Sequence, residues 1–210
     1  MSGTTTTERS LLLRHMPSGE SFLKLDLLSS ESGISTCLKR ISKKPPHRGA
    51  PDLFDTARIE WERARHGTTR FVRDYHPDVR RSRIGQSYTR LQHAAAYSRL
   101  LILNAAHMPD TETLFSLAER SFDAFDSGRA SSVVLLKSLY LLLREEGYPV
   151  NESWWPQVPS ALRDTARTLL GQPAPETPDQ AILDECEQLR IHLCGWLRRE
   201  TELILPESLA

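Results

Sequence analysis

The residues best placed to do chemistry in this chain are cations. The stretch CLKRISKKPPHRG, Cys37 to Gly49, carries Lys39, Arg40, Lys43, Lys44 and Arg48 without one carboxylate in its thirteen residues. A second run, RDYHPDVRRSR, supplies Arg73, Arg80, Arg81 and Arg83. Lys and Arg clustered in this way neutralise phosphates and release counterions, which gives an affinity that falls steeply with salt. Either run alone also reads as a solvated loop. Together they make phosphate the better partner.

Aromatic residues are interleaved with these cations. Phe22, Trp61, Phe71 and Tyr75 stand among Lys24, Arg58, Arg63, Arg70 and Arg73, and bases stack on rings while neighbouring cations hold the backbone. The alternation of Trp61 with Ile59 points Trp61 inward, whereas Phe22 and Tyr75 have no settled face. Other chemistries lack their residues. There is no Gly-rich phosphate loop, no nucleophile elbow and no paired-His helix motif, so an enzyme is not expected. Cys186, His192 and Cys194 offer metal ligands only from a single helix, and Cys186 fits the apolar stripe of that helix as a small buried thiol. No metal or cofactor is expected. Trp154 and Trp155 read first as a core plug and second as an interaction patch.

The elements that must position these groups follow from periodicity. From Glu8 to about Arg80 the apolar residues alternate with period two: Leu11 and Leu13; Leu23, Leu25 and Leu27; Ile34, Thr36 and Leu38; Ala57, Ile59 and Trp61; Phe71, Arg73 and Tyr75. These are five short strands separated by turn signals. Five antiparallel strands in so short a span close into a small barrel, of the OB type first and the SH3 type second. After Arg83 the period becomes helical. One helix from Ile84 to about His107 is expected at the centre of the second part. A second is capped by Asp110 and ends near Gly128, and a third, opened by Ser131 or Ser132 and closed by Gly147, is almost wholly apolar and should be the most buried. A short helix follows over residues 161–170, and the last is opened by Thr177, Pro178 and Gln180 as a capping box. The fold class is therefore α+β in two parts, an OB-type barrel over residues 1–83 and an all-α domain over residues 84–210.

The charge supports that division. The chain has 27 basic and 27 acidic residues, but residues 1–83 hold 16 against 10, a net of +6, and residues 84–210 hold 11 against 17, a net of −6. A basic part can attract phosphates while an acidic part keeps the chain soluble. Three scattered cysteines suit a reducing cytoplasm better than a disulfide framework. The start MSGTTTTERS has no signal-peptide character, and the richest apolar run, VVLLKSLYLLL, is broken by Lys137, so neither export nor a membrane span is expected.

A basic barrel, a basic loop after its third strand and a helical domain opened by a long helix together resemble the bacterial DNA repair protein RecO family. RHMPSGESFLKLDLLSSESGIST is similar to the family's opening, with a Gly-Glu pair before the second strand and an acidic-Gly turn before the third. SYTRLQHAAAYSRLLILNAAHMPDTETLFSLAERSFDAF, with the later EEGYPV, resembles its helical core. The likeness covers about Leu11 to Val150. It implies a recombination mediator without enzymatic turnover that binds single- and double-stranded DNA and anneals complementary strands. It also implies work with RecR and with single-stranded-DNA-binding protein, whose C-terminal tail docks on the helical domain, to help load the recombinase. By position it places DNA contacts at Lys39, Arg40, Lys43, Lys44 and Arg48. Two departures stand out. LKRISKKPPHRG replaces the family's Lys-Gly-Ala-Arg-like run, and GYPVNESWWPQVPS has none of the four cysteines that hold zinc in many members, which implies a zinc-free branch. The alternative reading is a protein adaptor whose acidic helical domain is the working surface and whose barrel binds no DNA.

Overall fold

The computed structural model describes residues 5–41, 50–64 and 67–209. Five strands come first: β1 (Thr5–Ser18), β2 (Phe22–Ser29), β3 (Gly33–Arg40), β4 (Thr56–Arg63) and β5 (Arg70–Val79). Five α-helices follow: α1 (Tyr88–Asn104), α2 (Thr111–Asp126), α3 (Ser131–Glu145), α4 (Arg163–Gly171) and α5 (Gln180–Glu200). The chain divides into two compact units. One comprises Met1–Arg81 with Ala105–Glu119, the other Ser82–Asn104 with Arg120–Ala210. The boundary near residue 82 is where the charge changes sign, but the start of α2 belongs with the strands. The reason is polar. Glu119 on α2 accepts two hydrogen bonds from Arg9 of β1, at 2.6 and 2.8 Å, and one from Thr56 of β4 at 2.7 Å, while Thr111 donates to the carbonyl of Ser30 at 2.7 Å.

The strands close into a barrel in the order β1-β2-β3-β5-β4, with β4 returning to β1. Four pairings are antiparallel, but β3 and β5 run parallel. The all-antiparallel expectation is corrected there, and the parallel closure is the OB arrangement rather than the SH3-like one. The interior holds Leu12, Leu25, Leu27, Cys37, Ala57, Ile59, Trp61, Val72 and Tyr75. β2 and β4 keep the expected phase, and Trp61 points inward. In β1 a bulge at Leu13 lets Leu11, Leu12 and Leu13 all be buried. In β5 the register shifts between Glu60 and Trp61 of the facing strand, leaving Arg73 as the extra residue, so Val72 and Tyr75 both face inward and Phe71 faces outward. A bulge reverses the alternation beyond it, which is why Phe71 and Tyr75 do not share a face. β3 is also out of phase with expectation: Cys37 is interior, whereas Ile34 and Leu38 are half-buried. Gly33, at φ 65°, turns the chain into β3, and a Cβ there would stand 3.1 Å from the Thr111 methyl.

In the helical unit α3 packs against α1, α4 and α5, so α3 rather than α1 is central. Eight of its residues are buried. Lys137, the one charge that interrupts its apolar run, donates to the carbonyls of Leu169 (3.1 Å), Leu170 (3.0 Å) and Gln172 and so caps the C-terminal end of α4. A cation there satisfies orphan carbonyls and opposes the negative end of the helix dipole. Asp110 caps α2 through the amide of Thr113 at 3.0 Å, and Gly128 and Gly147 stand at positive φ after α2 and α3. α5 begins later than expected. Asp179, not Thr177, is its cap, accepting from the Ile182 amide at 2.8 Å, because a carboxylate directly after Pro178 serves the same amides. Among the described residues no helix is long and apolar enough to cross a membrane.

Trp154 is fully buried, within 5.9 Å of the Tyr140 ring and 6.1 Å of Trp155, and its indole N–H donates to His192 Nδ1 at 3.0 Å. It is the core plug; Trp155 stays half-buried beside it. His192 accepts with Nδ1 and is held below the ordinary histidine value of 6.5 by burial and by Arg199. His93 is lowered from 6.5 by burial and by Arg190. Both therefore bind fewer protons folded than unfolded, so their contribution to stability is full above 6.5 and is lost as the pH falls from there through the folded values. The urea midpoint of tryptophan fluorescence should drop when the pH is taken below 6.5, and His192→Gln should flatten the drop; a midpoint indifferent to pH in that window would contradict this.

Candidate nucleic-acid interface

The barrel registers sort every strand residue onto an inner or an outer face. Phe22 lies opposite Arg40, Lys24 opposite Leu38, and Leu38 opposite Phe71, and residues opposed in a ladder share a face. The outer surface of β2, β3 and β5 therefore carries Phe22, Lys24, Leu38, Arg40 and Phe71 together, bordered by Met16 of β1 opposite Lys24. The Phe22 and Phe71 rings meet at 5.9 Å with a 57° tilt, and Met16 is 40% exposed. Neither Lys24 nor Arg40 makes an ion pair among the described residues. At its far end the surface is fixed by Asp26, which is 4% exposed and receives Arg14 at 2.6 Å and Thr36 at 2.8 Å. That lock ties the strands beneath two adjoining rings and two cations that are unpaired among the described residues, an arrangement suited to stacking bases and holding phosphates. It is also the strand face by which OB barrels take oligonucleotides.

The five expected contact residues that fall within the described residues are dispersed. Arg40 is exposed and on this surface. Lys39 projects from the opposite face with its ammonium 5.9 Å from the Tyr75 ring, and its pKa is lowered by burial against the raising pull of Asp74. Lys43, Lys44 and Arg48 lie outside the described residues. Arg73 is exposed but paired with Glu62, whose hydrogen bond raises its pKa. Arg80 spans Asp55 at 3.1 Å and the Ala50 carbonyl at 3.0 Å. Arg81 is not a surface contact. It is 3% exposed, donating to the Phe54 carbonyl at 2.6 Å and to Thr56 at 3.0 Å, with Glu119 at 3.9 Å. Phe54 stands at φ 66°, a conformation costly for a bulky side chain, and Arg81 helps hold it. Positive charge in the sequence cannot distinguish this cation from a phosphate ligand.

The ring pair was the feature least legible beforehand. Phe22 has no settled face in the sequence, and the alternation puts Phe71 in phase with Tyr75; the bulge at Arg73 separates those two and leaves Phe71 beside Phe22. The remaining chemistry is quiet. Cys186 and Cys194 are buried on α5, and among the described residues no three His, Cys, Asp or Glu side chains converge to hold a metal ion. In the helical unit a shallow cleft of about 330 Å³ is lined by Tyr140, Trp155 and Leu170 beside Arg144 and Arg167. Both arginines are in exposed local pairs, Arg144 with Glu145 and Arg167 with Asp164, of the kind that exchange partners at little cost. Neither a scan of family models nor a comparison with curated proteins found a match to this chain.

Proposed function

We propose that the chain is a non-enzymatic mediator of recombinational DNA repair, cytoplasmic and nucleoid-associated. It binds single- and double-stranded DNA, promotes annealing of complementary strands, and acts with RecR and single-stranded-DNA-binding protein to help load the recombinase. The observation that carries the DNA reading is the Phe22–Phe71 pair flanked by Lys24 and Arg40 on the outer surface of β2, β3 and β5. The role in repair rests on the sequence likeness to the RecO family. Phosphate contacts dominate, so sequence preference is weak.

A second reading, the adaptor, is favoured by the cleft at Trp155. An apolar floor with two arginines suits the acidic, carboxylate-ended tail of single-stranded-DNA-binding protein. One variant separates the two. Each stacked base contributes about 1–3 kcal/mol, so Phe22→Ala with Phe71→Ala should weaken single-strand binding by roughly 30-fold or more, with tail-peptide binding intact. Unchanged DNA affinity in that double variant, measured by fluorescence anisotropy, would remove the platform, and tail-peptide binding by a wild type that binds no DNA would leave the adaptor.

A further inference from the structure

The inner face of the barrel ends, between β3, β4 and β5, in a group of cations that the stacking surface does not use. Arg63 lies directly opposite Arg70, the last residue of β4 against the first of β5. On the other side Cys37 pairs with Arg70 and Lys39 with Val72, so Lys39 stands one step along the same face. Like charges directly opposed in a ladder oppose folding. None of the three makes an ion pair among the described residues. Glu62 is taken by Arg73, and Asp74, the carboxylate that Lys39 feels, is engaged by the Tyr75 amide at 2.8 Å and by His76 at 2.9 Å.

Arg70 carries the strongest sign of a missing partner. Its guanidinium lies 4.3 Å from the Trp61 ring centroid, and its Nη1 is buried with no hydrogen-bond acceptor among the described residues. Stacking on an indole fixes the direction of a guanidinium without satisfying its donors. Lys39 is steered in the same manner over Tyr75. Two cations braced on rings, with a third at the rim and no carboxylate in an ion pair with them among the described residues, form a preorganised seat for an anion of more than one charge.

We infer that Arg63, Arg70 and Lys39 bind a phosphate monoester, the dianionic terminal phosphate of a nucleic-acid strand or of a nucleotide. The inference rests on the DNA reading only for the source of that phosphate. A backbone diester carries one negative charge and must continue on both sides, whereas a terminal monoester carries nearly two and stops. Arg70 and Phe71 are consecutive, as are Lys39 and Arg40, with side chains on opposite faces. A strand stacked on the outer rings can thus end at the inner seat.

The test uses the full chain and a single-stranded dT oligonucleotide of about 16 nucleotides. It carries a fluorophore at one end and either phosphate or hydroxyl at the other, in both polarities. Deoxyadenosine 5′-monophosphate against deoxyadenosine, as competitors, forms the nucleotide arm. The phosphate-ended probe of at least one polarity, or the nucleotide over the nucleoside, should bind roughly tenfold more tightly. Arg70→Met and Lys39→Met should each bring that ratio towards one. Phe22→Ala should weaken both oligonucleotides alike and leave the ratio unchanged. A ratio of one in every arm of the wild type overturns the seat while leaving single-strand binding standing, and so does a ratio that survives Arg70→Met with Lys39→Met. No oligonucleotide binding, with the nucleotide still preferred over the nucleoside, keeps the seat and removes the DNA reading. Should Arg70→Met fail to fold, Arg63→Ser and Lys39→Met give the same comparison.

Discussion

Trp154→Ala is expected to destabilise the helical unit by about 4 kcal/mol, within the usual range for truncating a buried tryptophan. The side chain is fully buried between the rings of Tyr140 and Trp155, and its N–H reaches His192. Alanine would leave a cavity beneath the turn Val150–Trp154, where the backbone widens into a π-helix and has few means of collapsing onto the gap. Trp154→Phe keeps most of the ring volume and loses the hydrogen bond, so it should cost about 1–2 kcal/mol. Urea unfolding followed by far-ultraviolet circular dichroism measures both. A loss below about 1.5 kcal/mol for the alanine variant would show that the site repacks and that the plug is dispensable.

The second large effect concerns the barrel unit. Glu119→Gln keeps the side chain's size and removes the carboxylate that faces Arg81 at 3.9 Å, Arg9 at 2.6 Å and the Thr56 hydroxyl at 2.7 Å. Arg9 also lies over the Phe115 ring at 5.4 Å, so the pairing aligns an aromatic contact as well. Arg81 is buried, and removing one partner of a buried ion pair costs about 3 kcal/mol. Amide hydrogen exchange in β1 and β4 should accelerate accordingly. Adding Arg81→Met to Glu119→Gln should cost less than the sum of the two single changes, because the two side chains belong to one network. Strict additivity, or unchanged exchange in Glu119→Gln, would show that the network does not tie α2 to the strands.

What the sequence revealed follows from which signals are local. Hydrophobic alternation in β2 and β4, the inward turn of Trp61, the apolar character of α3 and the stops at Gly128 and Gly147 depend on neighbours within a few residues, and each was legible. The bulges at Leu13 and Arg73 were not. One inserted residue reverses a strand's faces without altering its composition, so Phe71 was assigned to the face of Tyr75. The start of α2 read as part of the helical domain because its ties to the strands, such as Arg9 to Glu119, cross 110 residues of sequence. Charge was the weakest guide to the site. Arg40 and Arg81 are the same residue type and both stand in cationic runs, yet one lies exposed beside Phe22 and the other is sealed under the Phe54 carbonyl. Arg63 and Arg70 read only as cations among the aromatic residues, since their opposition exists only once β4 and β5 pair.

The central claim is that the outer surface of β2, β3 and β5 holds single-stranded DNA through stacked bases and phosphate contacts. Anisotropy of a fluorescent oligo-dT titrated with the full chain, repeated between roughly 50 and 200 mM salt, tests it most directly. The account predicts binding at low salt, with log affinity falling linearly against log salt by a slope of about −0.7 for each phosphate neutralised. Phe22→Ala with Phe71→Ala should lower the whole line while leaving its slope nearly unchanged, because rings carry no charge. Absence of binding at the lowest salt, or an affinity indifferent to salt, would contradict the account.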